Sequence, residues 1–283
     1  MENNLSDRLF QQFSQLVYEQ CGINLHDGKK ALLQARLNKR LRLTGIDSYE
    51  KYFKLITSGA NSGEFVHFLD SISTNLTYFF RESQHFDFLE QVALPELIAK
   101  KQKARDSRVR IWSAGCSTGE EPYSLAMCVL GHLPELARWD FRILATDIST
   151  RALEAANAGV YSEDKVQKVP PALRLVNFHK IGNGNGRPEY EIAPHVKRIV
   201  TFHRLNLKEP YPFKGTFDVI FCRNVMIYFD KKTQEELVNK IASFLSPGGY
   251  FCVGHSESLT GLSHSLAYVR PAIYRNQQRS LGI

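Results

Sequence analysis

The sequence predicts an α/β fold: a Rossmann-like, mostly parallel sheet with a small antiparallel β insertion, preceded by a small all-α domain. Three observations carry this. From Val109 to Asn276 short apolar runs alternate with amphipathic stretches, the signature of a doubly wound sheet. Residues 1–74 show helical periodicity and no convincing strand. Between Pro170 and Val200 the Asn-Gly pairs of IGNGNG (Ile181 to Gly186), followed by Tyr190-Glu191-Ile192, read as a β-hairpin placed at about residues 172–200.

Taken in order, Ser6 caps a first helix with Leu9, Phe10, Phe13, Leu16 and Val17 at spacings of three and four, and Gly22 stops it. A second helix runs from Gly28 to Leu43 and ends at Thr44-Gly45. A third follows the cap Ser48 with Tyr49, Tyr52, Phe53 and Ile56, and a fourth begins near Ser62 with Phe65, Phe68, Leu69 and Ile72. After Arg81 the character changes. A helix with Phe86, Leu89 and Val92 leads into the basic stretch Lys100 to Arg108. Strands are expected at Val109 to Gly115, Phe141 to Asp147, Phe217 to Asn224 and Tyr250 to His255. The helices between them span Glu120 to Leu133, Ser149 to Ala158 and Lys231 to Leu245, with a turn at Ser246 to Gly249. LAYVRPAIYRN, at Leu266 to Asn276, reads as a terminal hairpin strand.

A chain of 283 residues with 43% hydrophobic and 23% charged residues has the composition of a globular protein, not of a disordered or fibrous one. No apolar run is long enough for a membrane span, and the polar MENNLSDRLFQQF start is unlike a secretory signal. Cys21, Cys116, Cys128, Cys222 and Cys252 show no CxxC spacing and are odd in number, which argues against a disulfide framework or a metal site and for reduced thiols in the cytoplasm. The net charge of +7 permits an acidic partner without selecting one.

The first strand-to-helix turn, SAGCSTGEE (Ser113 to Glu121), has glycines at 115 and 119, which is neither GxGxxG nor a P-loop. Glu120 and Glu121 at the helix start would repel a pyrophosphate but suit a ligand carrying an ammonium and a sulfonium, which points to S-adenosylmethionine. Alternatively, the two acids only favour the helix N-terminus. Asp147 ends the second strand, where an acid takes ribose hydroxyls in nucleoside-binding sheets; the competing reading is a cap for the helix after Ser149.

STNLTYFFRE (Ser73 to Glu82), STGEEPYSLA (Ser117 to Ala126), ATDIS (Ala145 to Ser149), FDVIFCRNVMIYFD (Phe217 to Asp230) and GHSES (Gly254 to Ser258) resemble, in order, the motifs of the chemotaxis receptor glutamate methyltransferase (CheR) family. The resemblance spans nearly the whole chain. It implies a class I methyltransferase domain at residues 75–283, led in by a linker, behind a receptor-docking domain at 1–74. It implies transfer of a methyl group from S-adenosylmethionine to receptor glutamates, leaving S-adenosylhomocysteine. By position it assigns Asn75, Thr77, Arg81, Glu121, Asp147, Asn206, Leu207, Arg223 and Asn224 to the cofactor, and Arg81 and Tyr228 to the methyl-transfer centre. Gly115-Cys116 departs mildly from the pattern. A glutamate carboxylate is ionised at neutral pH and needs no general base, so positioning would carry the catalysis, with no metal. Without the resemblance, Arg81 would read as a surface or interdomain ion pair and Tyr228 as core packing.

Lys29, Arg36 and Arg40 share a helical stripe beside Leu33, Leu37 and Leu41, in a segment without acids after Asp27. A solvated face is the plain reading; the family substrate, an acidic helix of a receptor's cytoplasmic region, makes the stripe a docking surface. The family also implies that the β insertion can take a receptor's C-terminal tethering peptide. A monomer recruited to receptor arrays, without membrane insertion, is expected. Two rivals stand beside this reading. A nucleic-acid methyltransferase lacks support, because CRNVMIYF has no Asp/Asn-Pro-Pro-aromatic motif and no RNA-binding module is present. A cofactor-binding regulator without catalysis is disfavoured by Arg81 and Tyr228.

Overall fold

A computed structural model describes residues 4–59, 62–73, 75–132, 138–182, 186 and 188–277. Four helices form the N-terminal unit: α1 (Asp7–Cys21), α2 (Lys30–Thr44), α3 (Tyr49–Thr57) and α4 (Ser62–Ile72). Ser6 caps α1 by accepting from the Leu9 amide at 3.3 Å, and left-handed Gly22 closes it. Ser48 caps α3 in the same way. Phe13 sits at the centre of this core, fully buried, with the rings of Phe53 and Phe68 at 4.9 and 5.6 Å. Leu33, Leu37 and Leu41 turn the apolar edge of α2 into the same core.

Arg40, on the basic stripe of α2, is engaged inside this unit. Arg40 does not present a free cation to a partner: its Nε and Nη2 donate to both oxygens of Glu64, at 2.9 and 2.7 Å, and the Tyr52 hydroxyl donates to Glu64 at 2.6 Å. Glu64, on α4, lies 24 residues away, so the pairing was invisible along α2. Burial would raise the Glu64 carboxyl, but the bonds from Arg40 and Tyr52 outweigh it and hold the group below the usual range.

α5 (Gln84–Phe88), a π-helical turn (Leu89–Ala93) and α6 (Leu94–Lys103) lead into the α/β part. Its strands and helices follow as β1 (Arg108–Ala114), α7 (Glu120–His132), β2 (Asp140–Asp147), α8 (Thr150–Ala158), β3 (Val160–Ser162), α9 (Glu163–Val166), α10 (Pro171–Asn177), β4 (Phe178–Ile181), β5 (Glu189–Ile192), α11 (Pro194–Lys197), β6 (Val200–Arg204), β7 (Phe217–Cys222), α12 (Lys231–Ser243), β8 (Leu245–Val253), β9 (Leu266–Arg270) and β10 (Ile273–Asn276). The large sheet has the order β6-β2-β1-β7-β8-β10-β9, parallel from β6 to β8 and antiparallel at β10 and β9. The chain after β1 turns to β2 on one side, and β7 later returns on the other. That reversal opens a crevice at the carboxyl ends of β1, β2 and β7.

The structure departs from the sequence reading in several places. The terminal run is two strands, turning at Pro271-Ala272. Ser246 to Gly249, expected as a turn, lies inside β8, where the pairing with β7 shifts register. β6 was not expected: VTFHR is an edge strand with one buried residue, so it has no apolar run to betray it. The expected hairpin is the β4–β5 pair, and β3 joins it upstream in a three-stranded sheet of order β3-β5-β4. Most of the Asn-Gly turn (183–185), Leu133 at the expected end of α7, and Thr74 at the expected domain boundary lie outside the described residues. Among the described residues no helix is long and apolar enough to cross a membrane.

Polar contacts join the two parts. Asp70 on α4 accepts from the Thr150 amide and hydroxyl at the start of α8, at 2.9 and 2.7 Å. The Tyr18 hydroxyl donates to Asp230 at 2.8 Å, and Lys208 donates to the carbonyls of Tyr18 and Glu19 at the end of α1.

Candidate active site

The β1–α7 turn forms one wall of the crevice. Gly115 has φ +81°, and a Cβ there would meet Val225 Cγ2 at 2.4 Å, so only glycine passes. The amides of Gly115 and Cys116 donate to the Thr146 carbonyl at 2.8 and 2.9 Å, fixing the turn against the end of β2. Gly119 brings the start of α7 against Ala156 and Tyr161, where a Cβ would stand 2.9 Å from each.

Asp147 accepts from the Ser117 amide through Oδ2 and from the Ser149 amide through Oδ1, at 2.8 and 2.9 Å. Burial raises its carboxyl against the pull of these donors. The cap of α8 is Ser149 itself, whose Oγ accepts from the Ala152 amide, so Asp147 is not the cap residue. It lines the crevice instead.

The two glutamates of the turn part company. Glu120 is fully buried and faces away, bound to Lys165 at 2.5 Å and Thr118 at 2.6 Å. Glu121 faces the crevice, accepting from the Ser113 hydroxyl at 2.7 Å and from Arg223 Nη1 at 3.0 Å, and burial raises it. Arg223, with a side chain 1% exposed, is the hub: Nη2 also donates to Glu82 at 3.0 Å and to the Arg81 carbonyl. Burial opposes ionisation of Glu82, but the Arg223 charge and donors from Arg223, Asn224 and the His255 amide hold it low. Beside it, burial and Arg223 push the His85 imidazole down to about 3.

Residues 75–82 strap across the crevice. Phe79 pins the strap, buried between Tyr161 and Phe178 at 4.9 and 5.4 Å, and the Phe80 amide donates to Ser124 Oγ. Phe80 and Glu82 take φ of +55° and +57°, an unfavourable backbone held by the surrounding bonds. Arg81 Nη1 donates to the Leu76 carbonyl at 2.9 Å, and its guanidinium lies over Tyr78. Tyr228 ends a 3-10 turn (Met226–Tyr228) after β7, and its carbonyl accepts from the Asn24 amide beyond α1 at 2.8 Å. Asn206 donates to the Gln20 carbonyl at 2.7 Å and to Glu209 at 3.1 Å, so its side chain braces the wall; Leu207 is next to it.

Asn75, Thr77, Arg81, Glu121, Asp147, Asn206, Leu207, Arg223, Asn224 and Tyr228 therefore line one cleft of about 490 Å³. Lys29 lies at its rim, exposed; Arg36 is half-buried on α2 outside it, and Arg40 is inside the helical core network. The sequence reading missed two carboxylates. Glu82 ends the STNLTYFFRE run, and nothing beside it in the chain points to its partner Arg223. Glu257 accepts from the amides of Gly254, Asn224 and Ile227, at 2.6, 2.8 and 3.2 Å, tying the Asn224–Tyr228 turn to the end of β8.

Residues 75–274 match the family described as CheR methyltransferase, SAM binding domain, and residues 8–73 match its all-alpha domain. The chain belongs to the CheR methyltransferase family. A probable chemotaxis protein methyltransferase of Rhizobium etli is 42% identical over 269 residues, which cover 94% of this chain and 99% of that relative. The chemotaxis protein methyltransferases of Borreliella burgdorferi and Escherichia coli are 40% and 38% identical, covering 96% and 95% of this chain and 95% and 91% of theirs. This CheR methyltransferase is thus an S-adenosylmethionine-dependent enzyme with a Rossmann-like catalytic domain. Its cleft fits that cofactor on its own terms: its volume is in the range of small-molecule sites, one acid (Glu121) suits an ammonium, a second (Asp147) suits ribose hydroxyls, and Leu205, Leu207 and Phe229 supply apolar wall.

Proposed function

We propose that this protein methylates glutamate carboxylates on the cytoplasmic helical region of chemoreceptors, and that it works in the cytoplasm. The observation that carries the reading is the meeting of Arg81 and Tyr228 with Glu121 and Asp147 on one cleft. Glu121 takes the amino-acid end of S-adenosylmethionine and Asp147 the ribose, with Asn206 and Leu207 beside the base. Asn75 and Thr77 close the strap over it, and Asn224 bounds the far side. Arg223 is a positioning residue, since its guanidinium is spent on Glu121, Glu82 and the Arg81 carbonyl. The cofactor, when bound, supplies a methyl group activated on a sulfonium.

The residues do the rest by placement. The acceptor carboxylate arrives ionised and needs no base. Arg81 turns its guanidinium from the Leu76 carbonyl to the incoming carboxylate and aims it; too tight a pair would quench the nucleophile, so its work is orientation. Tyr228, whose hydroxyl has no hydrogen-bond partner among the described residues, orients the same carboxylate.

Residues 1–74 dock the receptor and residues 75–283 carry the chemistry. Of the basic stripe, Lys29 at the cleft rim and Arg36 remain candidates to meet an acidic helix, while Arg40 braces the domain from inside. The three-stranded insertion offers edges for a tethering peptide, and the protein works as a monomer. The test is incubation with tritiated S-adenosylmethionine and membranes bearing chemoreceptors. Base-labile label on receptor glutamates supports the reading, and label on added RNA with none on receptor refutes it.

A further inference from the structure

Glu82, His85 and His255 come together beneath the strap, from α5's entry and the loop after β8. One ligand atom from each lies within 4.8 Å of the others. His85 Nδ1 stands 3.6 Å from Glu82 Oε2, and the two imidazole rings are 4.9 Å apart. His85 is 1% exposed, yet neither ring nitrogen has a hydrogen-bond partner among the described residues. Buried polar atoms are rarely left so, and one aimed at a carboxylate and a second imidazole asks for an explanation. We propose that Glu82, His85 and His255 form a binding site for a zinc-class divalent cation that regulates cofactor affinity.

Two imidazole nitrogens and one carboxylate oxygen suit zinc, not magnesium or calcium, which prefer oxygen cages. Bonds of about 2.0–2.1 Å put tetrahedral ligand atoms about 3.4 Å apart, so the cluster needs only a modest closing. His255 is exposed and supplies both the adjustment and the path of entry. The five cysteines, all buried, are poor competitors for added metal.

The regulatory part rests on the cofactor reading above. Glu82 Oε2 is shared with Arg223, and Arg223 in turn holds Glu121. A metal ion drawing on Glu82 adds positive charge beside the hub and leaves Arg223 leaning on Glu121, the acid meant for a cationic cofactor. S-adenosylmethionine carries the sulfonium charge and S-adenosylhomocysteine does not, so the ion weakens the first more than the second.

The experiment is calorimetry on the full chain and on His255→Ala. Zn²⁺ and Mg²⁺ are each titrated alone; then S-adenosylmethionine and S-adenosylhomocysteine are titrated with and without saturating Zn²⁺. The wild type should bind one Zn²⁺ and no Mg²⁺ of comparable affinity. His255→Ala should bind zinc at least about tenfold more weakly, since losing even an outer partner of a metal ligand costs that much. Zinc should lower affinity for S-adenosylmethionine more than for S-adenosylhomocysteine in the wild type only. Equal zinc binding by both proteins overturns the site, and zinc binding that treats both cofactor forms alike overturns the regulation. A chain that binds zinc as proposed but neither cofactor form would sink the cofactor reading and leave the site standing.

Discussion

Arg223 and Glu121, 102 residues apart, meet at 3.0 Å beneath the cleft, and the same guanidinium holds Glu82 at 3.0 Å. One buried cation thus sets the position of the acid that faces the cleft and of the strap that carries Arg81.

Arg223→Met leaves two carboxylates enclosed without their cation. Breaking a buried pair from one side costs about 3–5 kcal/mol. Urea unfolding should show a loss of that order. Glu121→Gln, which keeps most of the shape, should lose less stability but still weaken S-adenosylmethionine binding. Equal stability of Arg223→Met and wild type would remove the hub from the account.

Gly115→Ala puts a Cβ at φ +81° and 2.4 Å from Val225 Cγ2. The left-handed conformation alone costs roughly 1–2 kcal/mol for a residue with a Cβ. Thermal melts and cofactor titrations should both suffer. Adding Val225→Ala should recover the steric part and leave the conformational part. A double mutant no better than the single would show that contact with Val225 is not what excludes a side chain.

Glu64 gives a pH dependence with a definite sign. Its folded carboxyl is held below its usual range, so its pairing with Arg40 adds stability above the unfolded value, roughly 4.3, and loses it as pH falls through the folded one. The melting-temperature gap between wild type and Glu64→Gln should therefore be full at neutral pH and narrow below about pH 4. A gap that stays constant to pH 3 contradicts it.

What was legible in the sequence follows from range. The helices of residues 7–72 announce themselves through caps and apolar spacing, and β1, β2, β7 and β8 through apolar runs buried on both faces. β3 and β6 are short and largely exposed, so no local pattern marks them. Asp147 at the end of β2 and Glu121 in the first turn of α7, just past β1, were readable as crevice-lining positions, because topology delivers the ends of β1 and β2 to one crevice. Partners were not: nothing near Arg40 in the chain points to Glu64, and nothing near Arg223 points to Glu82, 141 residues away. Glu120 and Glu121 look alike in sequence, and only the course of α7 sends one to Lys165 and the other to the cleft.

Tyr228→Phe isolates one hydroxyl at the proposed transfer centre. S-adenosylmethionine affinity should hold within about threefold while turnover falls on the order of ten- to a hundredfold, as expected when a group acts mainly on the reacting geometry. Unchanged turnover would reduce Tyr228 to packing.

The most direct test is single-turnover transfer of tritiated methyl from S-adenosylmethionine to chemoreceptor membranes by wild type, Arg81→Lys and Arg81→Ala, with cofactor affinity measured on each protein. The account predicts base-labile label on receptor glutamates with wild type and loss of most transfer in Arg81→Ala at nearly unchanged cofactor affinity. Arg81→Lys should be poorly active, because an ammonium cannot present the two parallel donors of a guanidinium. Full transfer by Arg81→Ala, or no transfer to receptors by a wild type that binds the cofactor, would contradict it.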